Sequence, residues 1–194
     1  MYLQRLSAEH LPLADAFRCV ETDEMLAKFS SKERRRIKRH SKEMEDFLRQ
    51  EAFNEQELCM STTYLLLDDD GKTIFAYISL CGDAIRLEVT ERDKEGVCYG
   101  SAPALKIARL AVATNQRGLG LGRMMIDFSA YQAQQIRQYA GIFFLTLDCY
   151  AHRVSYYQAH GFVKNLLQPI ELEYDSPISM RISVDAYLET YAEK

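Results

Sequence analysis

The segment NQRGLGLG, residues 115–122, sets three glycines at alternate positions between an apolar run and a run with helical periodicity. Glycine loses more backbone entropy on folding than any other residue, so three together mark a tight turn or a place where the main chain must approach something closely. On the N-terminal side ALKIARLAV (104–112) reads as a strand, with Ile107, Leu110 and Val112 apolar and Ala108 and Ala111 small between them. On the C-terminal side Leu121, Met125, Phe128, Ile136 and Tyr139 fall near one face of an amphipathic helix, which Gly141 closes as a C-cap. GIFFLTLDCY (141–150) is then a continuous apolar run, too short for a helix, that suits a strand covered on both faces. The centre of the chain is strand, glycine loop, helix and buried strand, a right-handed βαβ unit by the usual handedness rule.

Outward from this unit, STTYLLLDDDGKTIFAYISL (61–80) places two β-prone runs around Asp-Asp-Asp-Gly, a hairpin signal because Asp and Gly tolerate positive φ. Residues 84–99 are more polar, with IRLEV strand-like and ERDKEG a loop. The first part of the chain, to about Glu57, reads as helical, with Leu3, Leu6, Leu11, Leu13, Phe17 and Val20 as scattered anchors and Met44, Phe47 and Leu48 at helical spacing after an entry near Ser41. No repeat, low-complexity tract or linker divides the sequence, so a single domain over residues 1–194 is expected.

The 194 residues are 47% hydrophobic and 27% charged, which argues against disorder as the main state. Neither a spanning segment nor a secretory leader is recognisable, and a cytoplasmic protein is expected. Cys19, Cys59, Cys81, Cys98 and Cys149 are odd in number and form no CxxC pair, so they read as reduced, mostly buried thiols. Cys149, His152 and His160 match no common zinc spacing, and no metal is expected. The net charge of −4 opposes general nucleic-acid binding, yet KERRRIKRHSK (32–42) carries seven Lys or Arg. That run is either a solvated helix face or a patch that meets phosphates or an acidic partner.

A glycine-rich turn between a strand and a helix N-terminus collects backbone N–H groups that the helix cannot satisfy, and the helix dipole adds partial positive charge. Such a place binds phosphate. A Walker loop is excluded, since Gly122 is followed by Arg123 and Met124 rather than Lys and Ser or Thr. The dinucleotide fingerprint fails as well, because Arg123 stands where a small residue is needed.

Arg117-Gly118-Leu119-Gly120-Leu121-Gly122 is similar to the (Gln/Arg)-x-x-Gly-x-(Gly/Ala) signature of the GCN5-related N-acetyltransferases (GNAT), and KIARLAV resembles that family's cofactor-binding strand. SYYQAHGF (155–162) resembles the family's later (Phe/Tyr)-Tyr-(Glu/Gln)-x-x-Gly-Phe segment, with Tyr157 on its tyrosine. The resemblance covers about residues 61–184, with a helical part at 1–60 beyond it. It implies a mixed α/β sheet, mostly antiparallel, with helices on both faces, and strands around LAV and LTLDCY that splay. It also implies direct acetyl transfer from acetyl-CoA to a primary amine. Leu110, Ala111 and Val112 would pair through their backbone with the pantetheine arm, while Arg117, Gly118, Gly120, Leu121, Gly122 and Arg123 would surround the pyrophosphate. A backbone N–H of the LAV segment would stabilise the oxyanion.

By the same resemblance Tyr157 is the general acid that protonates the departing thiolate; its alternative is an amphipathic packing residue beside Tyr156. His152 and His160 match no role. KIARLAV holds no carboxylate, leaving Glu88 and Asp148 as candidate bases, and a weak base favours an α-amine near pKa 7.7–8.0 over a lysine near 10.4 as acceptor. The acceptor is a small-molecule or macromolecular amine. EDFLRQEA, the Tyr-containing hairpin and KIARLAV together resemble a bacterial subgroup of toxin acetyltransferases that act on aminoacyl-tRNA, in which residues 32–42 would contact tRNA phosphates. A non-catalytic acyl-CoA-binding module is the alternative from another class, and a homodimer is the oligomeric state considered.

Overall fold

The computed structural model describes residues 1–168 and 176–192; residues 169–175 of the expected core lie outside the described residues. The chain begins with β1 (Tyr2–Arg5), α1 (Leu11–Ala16), α2 (Ser31–Asp46), a π-helical turn (Phe47–Glu51) and α3 (Ala52–Glu57). Next come β2 (Thr62–Leu67), β3 (Ile74–Arg86), α4 (Val89–Glu95) and β4 (Ser101–Val112). After the glycine loop follow α5 (Leu121–Ile136), β5 (Phe144–Cys149), α6 (Val154–Gln158), β6 (Val163–Lys164), β7 (Ile178–Ser183) and α7 (Val184–Tyr187). The strands form a mixed sheet in the order β1-β2-β3-β4-β5-β7-β6. Its β4–β5 pair is parallel, and the β1–β2, β2–β3, β5–β7 and β6–β7 pairs are antiparallel. The expected α/β class and the strand–loop–helix–strand centre are both present.

Two compact units are distinguishable, Met1–Leu80 with Arg109–Met125, and Cys81–Ala108 with Ile126–Lys194. In the first, Tyr77 is fully buried among Leu6, Phe17, Phe47, Leu48, Leu65, Ala111 and Ala113. Its ring meets Phe17 edge-on at 5.5 Å and stacks on Phe47 at 6.3 Å, while its hydroxyl donates to the Met44 carbonyl at 2.7 Å, which satisfies the one polar atom it takes inside. The hairpin forms as expected: Gly71 takes φ 68°, and Asp68 Oδ1 accepts from the N–H groups of Lys72 and Thr73.

Two expectations for this unit change. Tyr2–Arg5 is a strand rather than part of a helical region, because it completes the ladder on β2 with Leu3 opposite Leu66. Pairing with a distant edge overrides a weak local pattern. The helix entry lies at Ser30, not near Ser41: Ser30 Oγ accepts from the Glu33 N–H, and Glu33 Oε2 accepts from the Ser30 N–H. This reciprocal cap stabilises the first turn by about 1 kcal/mol. Ser41 instead sits mid-helix and buried.

In the second unit Ile85, Leu87, Ala102, Ala104 and Phe144 form a cluster, closed by Val97 and Phe143. Arg181 is buried there, donating to Glu91 Oε1 at 2.6 Å and Asn165 Oδ1 at 2.9 Å, with its guanidinium 5.5 Å over the Phe144 ring. The expected ERDKEG loop is the α4 helix, entered where Glu91 Oε2 accepts from the Glu88 N–H and ended by left-handed Gly96. Helix α5 stops at Ile136, so Gly141 is no cap and Tyr139, 90% exposed, is off the helix. Within this unit the buried stripe of α5 is Ile126, Ser129, Ala130 and Ala133, the last three small residues that let a helix pack closely. Of the five thiols, all free, Cys19 and Cys149 are buried, Cys81 is half-buried, and Cys59 and Cys98 are exposed.

Candidate active site

The first unit contains the glycine loop. Residues 114–116 make one tight turn after β4, Arg117 is extended, and Gly118 and Gly120 adopt φ 82° and 77° before α5 begins at Leu121. A Cβ added at either glycine would meet nothing within 4 Å, so neither is glycine for the sake of protein packing. The open side of the loop is where a diphosphate would approach the main chain. Leu121 anchors the helix start in the core at 3% exposure, and the N–H groups of Leu121, Gly122 and Arg123 fall in the first turn, where no intrahelical acceptor exists. Ala111 is buried, and Leu110 and Val112 are half-buried on β4.

The resemblance sets Arg117 among the groups around the pyrophosphate. Its guanidinium is bonded inward, from NH1 to Glu21 Oε1 at 2.8 Å, from NH2 to the Cys19 carbonyl at 2.5 Å, and from Nε to the Val112 carbonyl at 3.5 Å. Sequence reading missed Glu21 altogether; it lies 96 positions from its partner and carries no local signal.

The second unit contains the other half of the expected chemistry. The β4–β5 ladder runs from Ala104 opposite Phe144 to Ile107 opposite Leu147. Tyr157, on α6, is half-buried, its ring edge-on to Tyr156 at 5.2 Å and to Phe162 at 5.8 Å. Burial holds its phenol well above the ordinary range, with Cys149 and Tyr156 adding to the shift against Arg153. The group is thus protonated across the neutral range, as a donor must be. Burial, with Asp148 adding, also pushes the Cys149 thiol up to about 12, so it is no nucleophile at neutral pH.

Neither candidate base stands out. Asp148 accepts from Lys106 at 2.6 Å, and although burial pulls the ammonium down, this bond and the Asp148 charge leave its pKa raised. Glu88 occupies the N-cap position of α4. Asp83, which the sequence did not flag, accepts from Thr146 Oγ1 at 2.7 Å. His160 Nδ1 lies 2.8 Å from the Tyr156 carbonyl and His152 stacks on Tyr150, both packing roles. Among the described residues no group of His, Cys, Asp and Glu could hold a metal ion, and no helix is long and apolar enough to cross a membrane.

The model of the GNAT acetyltransferase domain matches residues 61–164, more than half of the chain. The chain belongs to the GNAT acetyltransferase family. As a GNAT protein it is an N-acetyltransferase with acetyl-CoA as its co-substrate. Among curated protein sequences nothing matches it. Similar solved structures include a KacT mutant, with TM-score 0.74 and 14% identity over 98% of each chain. AtaT complexed with acetyl-methionyl-tRNAfMet gives 0.71 and 13% over 95% of each. AtaTR bound with acetyl-CoA gives 0.66 and 14% over 98% of this chain and 97% of the other. At these identities the likeness is one of fold, and the fold is that of the GNAT family.

Proposed function

We propose that the protein transfers the acetyl group of acetyl-CoA to a primary amine, with the donor's pyrophosphate held on the amides from Gly118 to Gly122 beside Arg123. The observation that carries this reading is the pair of left-handed glycines whose missing side chains face open space at the head of α5. The main chain of Leu110, Ala111 and Val112 pairs with the pantetheine arm, and an N–H there stabilises the oxyanion as the amine attacks the thioester carbon. Tyr157 gives its proton to the departing sulfur as the C–S bond breaks, coupled to departure because a high-pKa phenol is a reluctant donor to a free thiolate. The acceptor enters with its amine already neutral. Retention of the Tyr157 phenol favours catalysis over a module that only binds acyl-CoA. The test is thiol release from acetyl-CoA across a panel of amines; coenzyme binding without turnover on any of them would leave the binding module as the better reading.

A second reading concerns the acceptor. Residues 32–42 fall on α2, whose outer face exposes Lys32, Arg35, Arg39 and Lys42, and AtaT, similar in fold, has been captured with acetyl-methionyl-tRNAfMet. Part of that charge is matched locally: Lys38 bonds Asp23 at 2.8 Å and Lys42 bonds Asp46 at 2.9 Å. We therefore propose aminoacyl-tRNA as the narrower alternative, in the cytoplasm. Its test is a tRNA gel shift at rising salt, where phosphate contacts must weaken steeply; no shift at low salt removes it.

A further inference from the structure

We infer that Arg117 works behind the coenzyme loop as a positioning residue, locked by the buried carboxylate of Glu21, and that Glu21 and Ser41 are therefore determinants of acetyl-CoA affinity. The inference rests on the loop being the pyrophosphate cradle.

The lock is built in two layers, all within the first unit. Next to the loop, Arg117 bonds Glu21 Oε1 and the Cys19 carbonyl, and Thr114 adds two bonds to the same segment, from its N–H to the Arg18 carbonyl and from its Oγ1 to the Val20 carbonyl, both 2.9 Å. Behind it, that segment is fixed to α2. Glu21 Oε2 accepts from Ser41 Oγ at 2.6 Å, and Glu45 Oε1 accepts from the N–H groups of Cys19 at 2.8 Å and Val20 at 3.1 Å. Glu45 is held in turn by Arg49 at 3.1 Å, which also donates to the Phe17 carbonyl at 3.0 Å. Glu21, Ser41 and Glu45 are 4%, 7% and 2% exposed.

A carboxylate beneath a phosphate-binding loop is electrostatically the wrong sign. If Arg117 served by charge, Glu21 would cancel it at 2.8 Å and weaken the site. A buried ion pair with further hydrogen bonds on both members is instead a device that fixes geometry, since neither group can move without leaving a charge uncompensated. What it fixes is the exit from β4 and the entry to Gly118, the start of the amide array. Positioning and charge thus make opposite predictions for one substitution. Glu21→Gln, which keeps the shape and removes the negative charge, tightens coenzyme binding if Arg117 acts on phosphate by charge, and weakens it if Arg117 acts by being held.

The experiment measures coenzyme A binding by calorimetry, together with kcat and KM for acetyl-CoA and for S-acetylpantetheine, which lacks the diphosphate. For Glu21→Gln the expected result is a Kd and a KM for acetyl-CoA raised about tenfold, the weight of one charge-assisted hydrogen bond, with kcat at saturation and kcat/KM for S-acetylpantetheine unchanged. Ser41→Ala, which keeps the ion pair and loses one bond, should show the same pattern at about threefold, and serves if Glu21→Gln does not fold. A Glu21→Gln/Arg117→Gln double variant should lose no more than the weaker-binding single, as expected of two members of one unit. Equal or tighter coenzyme binding by Glu21→Gln overturns the inference, as do equal losses with both donors. If the wild-type protein uses acetyl-CoA and S-acetylpantetheine with the same KM, the pyrophosphate reading itself fails and takes the inference with it.

Discussion

The two segments that resemble the GNAT signatures use glycine in opposite ways. Gly118 and Gly120, in the first unit, are left-handed and face open space. Gly161, in the second, is left-handed at φ 83°, but a Cβ there would stand 2.8 Å from Ile182 Cδ1 and 2.8 Å from Tyr191 Cε2. One pair of glycines leaves open space beside the main chain, and the other glycine lets the chain turn inside its own packing. Positive φ alone therefore does not identify a binding loop; what surrounds the missing side chain does. In the proposed reaction the contrast extends to the chemistry, with main-chain amides assigned to the open segment and a single phenol to the packed one.

The largest effect should come from removing that phenol while keeping its ring. Tyr157→Phe should lower kcat by about a hundredfold or more with the KM for acetyl-CoA little changed, as befits a general acid set in a packed frame. Undiminished turnover would make Tyr157 a packing residue. Next in size, Gly161→Ala should cost about 2–5 kcal/mol in urea unfolding, from the left-handed backbone and the two clashes together, while coenzyme affinity per folded molecule stays put. Gly120→Ala reverses the pattern: about 1 kcal/mol of backbone strain, with coenzyme affinity down about tenfold. Should both glycine variants lose the same property, the distinction between an open and a packed turn collapses.

A smaller effect concerns acid stability within the second unit. Burial raises the Glu91 pKa, but the N–H groups of Leu166 and Glu88 and the guanidinium of Arg181 outweigh it, so the folded value is lowered. The stabilisation is thus present above the unfolded carboxylate range and is lost as pH falls through the lower folded pKa. Thermal melts of wild type and Glu91→Gln should converge below roughly pH 4 and separate above it.

The strand–loop–helix–strand centre was legible because its signals are local: glycine spacing, a helical stripe and an apolar run of strand length. The DDDG hairpin was legible for the same reason. What failed to show were features made by partners far apart in the chain. Tyr2–Arg5 is a strand only because β2 offers an edge, and α4 is a helix whose entry Glu91 caps while also holding Arg181, 90 positions away. Of the expected helical stripe Leu121 and Met125 are buried and Phe128 is half-buried, while Ser129, Ala130 and Ala133 did not show because small residues carry little hydrophobic signal. In the site, the open glycines were visible and Glu21 was not, because a carboxylate in an acidic stretch looks like solvated charge until its partner is known.

The protonation state of Tyr157 bears on how the acceptor could be identified without isolating it. With the phenol held above its usual range, the proposed acid stays protonated at neutral and mildly alkaline pH, and β4 supplies no carboxylate as a titrating base. The ascending limb of a pH–rate profile would then belong to the substrate and not to the enzyme. A limb with its midpoint near 8 would point to an α-amino acceptor, and one still climbing past 10 would point to a lysine side chain, so the curve reads out the acceptor's basicity.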